Sequence, residues 1–141
     1  MQNQAITTAK YGHIKDWDTS QVTDMTDVFA DYGLVHTFNA NISGWDTLKV
    51  TIMEYMFYGC EVFNADISGW DTSQVTNMIE LFYGTKAFNA GLSGWDTSKV
   101  TTMNLMFSEN TVFNADLSRW DTSQVTDMSY MFSYASAFNA D

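Results

Sequence analysis

Residues 63–82 read Phe-Asn-Ala-Asp-Ile-Ser-Gly-Trp-Asp-Thr-Ser-Gln-Val-Thr-Asn-Met-Ile-Glu-Leu-Phe, and close variants of this stretch recur along the chain. Its Trp-Asp-Thr marker falls at five tryptophans, namely Trp17, Trp45, Trp70, Trp95 and Trp120. The last four are evenly spaced, and the first interval is slightly longer than the others. A fixed period of this kind is typical of a solenoid, in which each unit buries its apolar side against its neighbours. The sequence therefore predicts one continuous repeat stack.

The composition is that of a folded and strongly acidic protein. Of 141 residues, 45% are hydrophobic and 16% aromatic, and proline is absent. This content is sufficient for a continuous core. Six basic residues against seventeen acidic ones give a net charge of -11, which repels nucleic-acid phosphates and anionic lipid headgroups. We therefore expect no nucleic-acid partner. We also expect no membrane insertion, because no apolar run approaches the roughly 18–20 residues that span a bilayer.

The chain divides into an entry segment and a repeat array. Residues 1–16 are predicted to form an N-terminal cap and the first strand, and residues 17–141 five stacked repeats, the last of them incomplete. The first repeat has three extra residues within residues 30–37, which predicts a loop on one face. The whole is predicted to be one continuous solenoid domain.

Each repeat is predicted to contain one short helix and one short strand. Apolar side chains fall at helical spacing, as at Val75, Met78, Leu81 and Phe82. Asp71, with Gln74 three residues on, resembles a capping box at the start of this helix. Residues 66–70 are short enough for one strand of a parallel stacked sheet. The fold class that this pattern predicts is an α/β repeat solenoid.

The recurring pattern also carries a family resemblance. It reads Phe-Asn-x-Asp-Ile/Leu-Ser-x-Trp-Asp-Thr-Ser-x-Val-Thr-x-Met-x-x-Met-Phe and covers residues 12–141. This pattern resembles the bacterial surface protein repeat, whose units are about 25 residues long. That repeat occurs in mycoplasma-type lipoproteins and Gram-positive surface proteins. The resemblance implies a leucine-rich-repeat-like, right-handed stack of short helix plus short parallel strand. It also implies an extracellular or cell-surface location, although we expect neither a secretion signal nor a surface anchor within these residues.

The same resemblance implies a non-enzymatic surface binding or adhesion module that recognises protein or glycan, with no catalytic residues to carry over. The residues agree with this interpretation. His13 and His36 are the only histidines, and no repeated Ser, Cys or metal-ligand spacing accompanies them. The sequence therefore predicts that the protein is not an enzyme.

Stacking turns each repeated residue into a column, so candidate sites are sought in columns. One column consists of the aspartates that follow the tryptophans. Capping of the predicted helices explains them, but carboxylate oxygens also suit calcium, the one cofactor considered. The candidate calcium ligands are Asp46, Asp71, Asp96 and Asp121.

Three other kinds of column are predicted to be structural. The asparagines Asn39, Asn64, Asn89, Asn114 and Asn139 are expected to bond to turn backbone and to one another. The tryptophans are expected to fill the core, with an exposed platform for sugars as the alternative. Two threonine columns are expected to bond to local backbone, with ice binding as an alternative by analogy with other solenoids.

Specificity is then expected at positions that vary between repeats. Tyrosine favours contact surfaces because it offers a large area and a polar tip at small entropic cost. The predicted binding residues are Tyr55, Tyr58, Tyr83, Leu105 and Tyr130. The alternative is that these are scattered surface aromatics without a common role.

The ends of the array suggest a second kind of function. The sequence closes on Phe-Asn-Ala-Asp at residues 138–141, and no capping segment follows this last predicted helix. Either a longer native chain continues here, or the apolar side of this helix contacts the region of Ile14 and Trp17 in another copy. This alternative is an architectural protein that self-associates end to end through uncapped ends, or a calcium-stabilised extracellular scaffold.

Overall fold

The computed structural model describes residues 10–32 and 37–139. Lys10 and Tyr11 are helical, and a 3-10 helix spans Ile14–Asp16. Elsewhere in the described part of the chain there is no helix and no strand, only tight turns and isolated bridges between repeats.

The predicted fold class is therefore wrong. The chain is not an α/β repeat solenoid with leucine-rich-repeat-like units, because the helix expected over residues 75–82 and the strand expected over residues 66–70 are both replaced by turns. Part of the predicted cap, residues 1–9, and part of the predicted insertion, residues 33–36, lie outside the described residues.

Backbone hydrogen bonds join each repeat to the next in a constant register. Around Glu80, every second N–H group donates to the following repeat at 2.9–3.1 Å, and these pairs are Met78 to Thr102, Glu80 to Asn104, Phe82 to Met106 and Gly84 to Ser108. Among the intervening N–H groups, those of Leu81, Tyr83 and Thr85 donate three residues back, to Met78, Glu80 and Phe82, and that of Ile79 donates to the Oδ1 atom of Asn77. Backbone N–H groups are thus paired alternately within tight turns and with the neighbouring repeat, because buried backbone groups need hydrogen-bond partners.

The sign of φ explains why no helix forms. One position in every repeat has a φ between +49° and +59°, and its residues are Asp27, Tyr55, Glu80, Leu105 and Tyr130. A right-handed helix needs a negative φ at every residue, whereas a positive φ suits the third residue of a tight turn. Successive turns bury a side chain about every third residue. In a short window, this spacing resembles the apolar stripe of a helix.

The core is built from stacked aromatic columns. The rings of Phe29, Phe57, Phe82, Phe107 and Phe132 stack with centroids 5.5–5.6 Å apart. Within each repeat a second phenylalanine lies 3.8–4.1 Å from the first, as Phe63 does from Phe57. Each such pair adds about 0.5–1.5 kcal/mol beyond the burial of its apolar area.

The tryptophans also belong to this core. Trp45, Trp70 and Trp95 are only 3–6% exposed, which confirms for these three the prediction that the tryptophans fill the core, whereas Trp17 is 39% exposed. Their rings stack 6.4–6.5 Å apart. The indole N–H of Trp70 donates to the carbonyl oxygen of Ile42 at 3.2 Å, so the polar atom of each buried ring has a partner in the preceding repeat.

Two glycines at equivalent positions test how tightly the repeats are stacked. A Cβ on Gly59 would lie 2.2 Å from the carbonyl oxygen of Asp31, whereas a Cβ on Gly84 would meet nothing closer than 3.7 Å. Both have a positive φ, at which an L side chain costs about 1–2 kcal/mol.

We predict that Gly84→Ala lowers the free energy of unfolding by about that amount. Gly59→Ala should cost clearly more, because the backbone must also move. Urea denaturation measures both losses, and equal losses would contradict the stacking geometry.

Candidate binding surface

Three tyrosine rings form a continuous strip across neighbouring repeats. Tyr58 stacks on Tyr83 with centroids 4.8 Å apart and planes 8° apart. Tyr32 lies 5.4 Å from Tyr58 on its other side. We call Tyr32, Tyr58 and Tyr83 the tyrosine strip. It ends at Tyr83, because Ser108 and Ser133 occupy this column in the next two repeats.

The remaining predicted binding residues share the column with positive φ. Tyr55 is half-buried, and its ring meets Tyr58 edge-on at 6.0 Å, so it borders the strip. Leu105 is half-buried and lies two repeats further on. Tyr130 is 72% exposed, and no ring contact among the described residues joins it to the strip. The structure thus groups Tyr55, Tyr58 and Tyr83 and places the other two along the stack.

Sequence reasoning missed Tyr32, the third ring of the strip. This tyrosine is 66% exposed and lies in the segment where the first repeat is longer than the others. Because the alignment of repeats breaks there, Tyr32 had no column to which it could be assigned. Its position next to the insertion was the only sequence feature that could have indicated a place on the binding surface.

Carboxylates lie around the tyrosine strip. The hydroxyl of Tyr32 donates to Asp27 at 2.6 Å, and the hydroxyl of Tyr83 donates to Glu109 at 2.7 Å. These hydrogen bonds, with smaller contributions from burial and neighbouring charge, raise the pKa of each tyrosine to about 12. Burial, and then the charge of Glu54, raises the pKa of Glu80. Negative charge is therefore concentrated beside the rings.

A shallow groove of about 300 Å³ runs along the strip. Its floor includes Gly59 and Gly84, which contribute backbone only. Its charged lining residues are Asp31, Glu61, Glu109 and Lys86. The ammonium group of Lys86 bonds to the carboxylate of Glu61 in the preceding repeat, so the groove has an excess of negative charge.

The aspartate column stabilises turns. The Oδ1 atom of Asp71 accepts the backbone N–H of Ser73 at 2.9 Å, and equivalent bonds form at Asp18, Asp46, Asp96 and Asp121. Within residues 10–32 and 37–139, no group of three or more His, Cys, Asp or Glu side chains is placed to hold a metal ion. The calcium ladder over Asp46, Asp71, Asp96 and Asp121 stays a prediction, and turn capping is the role that their contacts favour.

The asparagine and threonine columns bond to neighbouring repeats. Asn39, Asn64, Asn89 and Asn114 each accept, through Oδ1, the backbone N–H of the equivalent asparagine in the following repeat, at 2.8–3.0 Å. Thr72 donates forward to the carbonyl of Asp96, and Thr76 donates backward to that of Thr51. These contacts confirm the structural role predicted for the asparagines.

Comparisons with known proteins identify the family. A family model described as Mycoplasma protein of unknown function, DUF285, matches residues 1–93 and again residues 63–141. The two matches together span the whole chain, so the chain belongs to this family. No curated protein and no solved structure matches it. In the described part of the chain, no helix is long and apolar enough to cross a membrane.

The turn-capping aspartates predict a specific dependence of stability on pH. Hydrogen bonds from the backbone N–H and hydroxyl of Ser68 lower the pKa of Asp66. A lowered pKa in the folded state means that the unfolded chain binds protons more readily. The stabilisation is therefore present above about pH 4, the pKa of a free Asp, and is lost as the pH falls through the lower folded-state pKa.

We predict that Asp66→Asn lowers the melting temperature at pH 7 and that the gap to the wild type closes as the pH falls through the lowered folded-state pKa of Asp66. The control Asp16→Asn removes the same charge from a carboxylate that faces Lys15 instead of a turn. Calorimetry across the pH range checks both variants. A gap for Asp66→Asn that stayed constant down to low pH would show that the carboxylate charge does not stabilise the turn.

Proposed function

We propose that this protein is a non-enzymatic binding module that recognises a protein partner at a cell surface. The observation that carries the proposal is the tyrosine strip, whose stacked rings line an open groove. The family match supports a mycoplasma-type repeat protein. The resemblance of the recurring pattern to the bacterial surface protein repeat supports the extracellular or cell-surface location.

The separation between structural columns and variable positions supports this role. The phenylalanine, tryptophan and asparagine columns are committed to the core and to bonds between repeats. The tyrosine positions change from one repeat to the next and leave their edges accessible. Their mutual stacking holds the rings before a partner arrives, which reduces the entropy lost on binding.

The geometry of the strip favours protein over glycan as the partner. Sugars bind aromatic side chains through the ring face, and both faces of Tyr58 are covered by Tyr32 and Tyr83. The ring edges, which suit protein surfaces, line the groove, and the hydroxyl groups of Tyr32 and Tyr83 donate to Asp27 and Glu109. Tyr55, Leu105 and Tyr130 extend the proposed contact surface along the stack.

The proposal is tested with variants that the repeat itself allows. Because Ser108 and Ser133 occupy the column of Tyr58 and Tyr83, the double variant Tyr58→Ser/Tyr83→Ser should fold. We predict that it binds at least tenfold more weakly than the wild type to its partner on a panel of immobilised extracellular proteins and glycans, since central tyrosines dominate binding energies. Surface plasmon resonance gives the affinities.

The matched control for this test is Val62→Ser/Val112→Ser. These two valines are 43% and 42% exposed and do not line the groove. The control should keep wild-type affinity. Binding that survived the tyrosine substitutions, or the lack of any ligand on the panel, would overturn the proposed function.

A second candidate function is architectural, through contact between the two ends of the stack. Met128 is 45% exposed, whereas the equivalent Met78 and Met103 are fully buried beneath the next repeat. At this end, four backbone N–H groups have no acceptor among the described residues, and they belong to Met128, Tyr130, Phe132 and Tyr134. The equivalent groups of earlier repeats donate to the repeat that follows.

The opposite end presents acceptors in the same register. Among the described residues, no donor reaches the carbonyl oxygens of Asp24, Thr26, Val28 or Ala30. In later repeats the equivalent carbonyls accept hydrogen bonds from the preceding repeat. A second copy would therefore bring acceptors to the exposed donors, a head-to-tail contact that can propagate.

Light scattering over a concentration series tests this second function. We predict that the apparent mass rises with concentration and that Met128→Lys abolishes the rise, because a charge would be buried in the contact. Val112→Lys adds the same charge to a side chain that is 42% exposed within the stack and should not alter assembly. A wild-type protein that stayed monomeric at high concentration would exclude end-to-end assembly of this chain.

A further inference from the structure

We propose that the groove beside the tyrosine strip binds an arginine side chain of the partner protein, with the guanidinium group over the ring of Tyr83 and beside the carboxylate of Glu109. This inference rests on the proposed binding function and specifies the chemistry of the partner. The proposed site consists of one ring face and one carboxylate, and each can be removed by a single substitution.

We place the cation on the second face of the Tyr83 ring. One face is covered by Tyr58, whereas on the other side the column continues with the small side chain of Ser108. No ring among the described residues stacks on that second face. Gly84 follows directly and adds no side chain that would obstruct the approach. A cation over the face of a tyrosine is attracted by the negative charge of the π-system.

Glu109 places a carboxylate at the hydroxyl end of the same ring. Its Oε1 atom accepts the hydrogen bond from the hydroxyl of Tyr83 at 2.7 Å, which fixes the position of the carboxylate. The second oxygen of Glu109 can accept from a ligand, since an ionised carboxylate has several acceptor positions. A planar group with forked donors fits a ring face and a carboxylate at once. Arginine has that geometry and lysine does not.

The charge around the groove favours the same ligand. Among the described residues, its lining carries the carboxylates of Asp31, Glu61 and Glu109 and the ammonium group of Lys86, which is bonded to Glu61. Burial, and then the negative charges of Glu80, Glu54 and Asp27, raise the pKa of the neighbouring Tyr55. These charges reflect a local excess of negative charge. The net charge of -11 strengthens the attraction at longer range and accelerates encounter with a basic segment.

A peptide pair tests this chemistry without knowledge of the natural partner. The probe is a fluorescein-labelled peptide in which glycine alternates with arginine, and its counterpart carries citrulline, which has nearly the same shape but no charge. Fluorescence anisotropy measures both at low salt. We expect the citrulline peptide to bind at least tenfold more weakly. Binding of the arginine peptide should weaken when salt shortens the Debye length from about 10 Å to a few ångströms.

Three variants locate the binding site. Tyr83→Ser and Glu109→Gln should each weaken binding of the arginine peptide at least threefold. Asp116→Asn removes the same charge as Glu109→Gln from a turn that does not line the groove, and it should change the affinity less than twofold. If Tyr83→Ser failed to fold, the comparison of Glu109→Gln with Asp116→Asn would still decide.

The outcomes separate this inference from the proposed function. No binding of the arginine peptide, equal binding of the citrulline peptide, or equal losses in Glu109→Gln and Asp116→Asn would overturn the arginine site. If a panel member still bound more weakly to the Tyr58 and Tyr83 variants, the proposed binding function would remain supported. Conversely, peptide binding localised to Glu109 would support the arginine site even if no panel member bound.

Discussion

The backbone hydrogen bonds that run from each repeat to the next are the constraint on which the rest of this structure depends. Because every second N–H between Met78 and Gly84 donates forward, a slip of one residue would leave these groups unpaired and would move Phe82 out of the core. The side chain of Asn64, which accepts the N–H of Asn89, fixes the same register at another corner of the repeat. The backbone atoms and the Asn64 side chain that make these contacts are committed to the stack, which leaves the other side chains for function.

The register also determines how the surface is assembled. Equivalent side chains lie about 5 Å apart, the spacing of backbones joined by hydrogen bonds, so each column places neighbouring repeats in direct contact. Tyr58 and Tyr83 meet in this way, and Glu109 reaches Tyr83 from the following repeat. Each column therefore contributes one side chain per repeat to a binding surface. Replacing Tyr83 by the serine found at position 108 alters the strip without altering the framework.

Burial could be predicted from the sequence, whereas backbone conformation could not. The buried side chains of Val75, Met78 and Trp70 follow from apolar residues that recur with the repeat. The local signals for a helix were misleading. Asp71 accepts an N–H two residues on, as an N-cap does, but Gln74 bonds to the hydroxyl of Ser73 and no helix follows. The same aspartate contact serves a turn and a helix start.

The decisive backbone feature had almost no sequence signature. A positive φ is expected at Gly59 and Gly84, but Tyr55 and Leu105 adopt it as well, and L residues with large side chains rarely do so. Tyr55 also borders the tyrosine strip, near the like charges of Glu54 and Glu80. The positive φ of Tyr55 recurs at the equivalent position of every repeat and so belongs to the framework, whereas the like charges of Glu54 and Glu80 oppose stability. Departures from local rules are expected to concentrate at functional sites, and this carboxylate pair lies beside Tyr55 at the edge of the tyrosine strip.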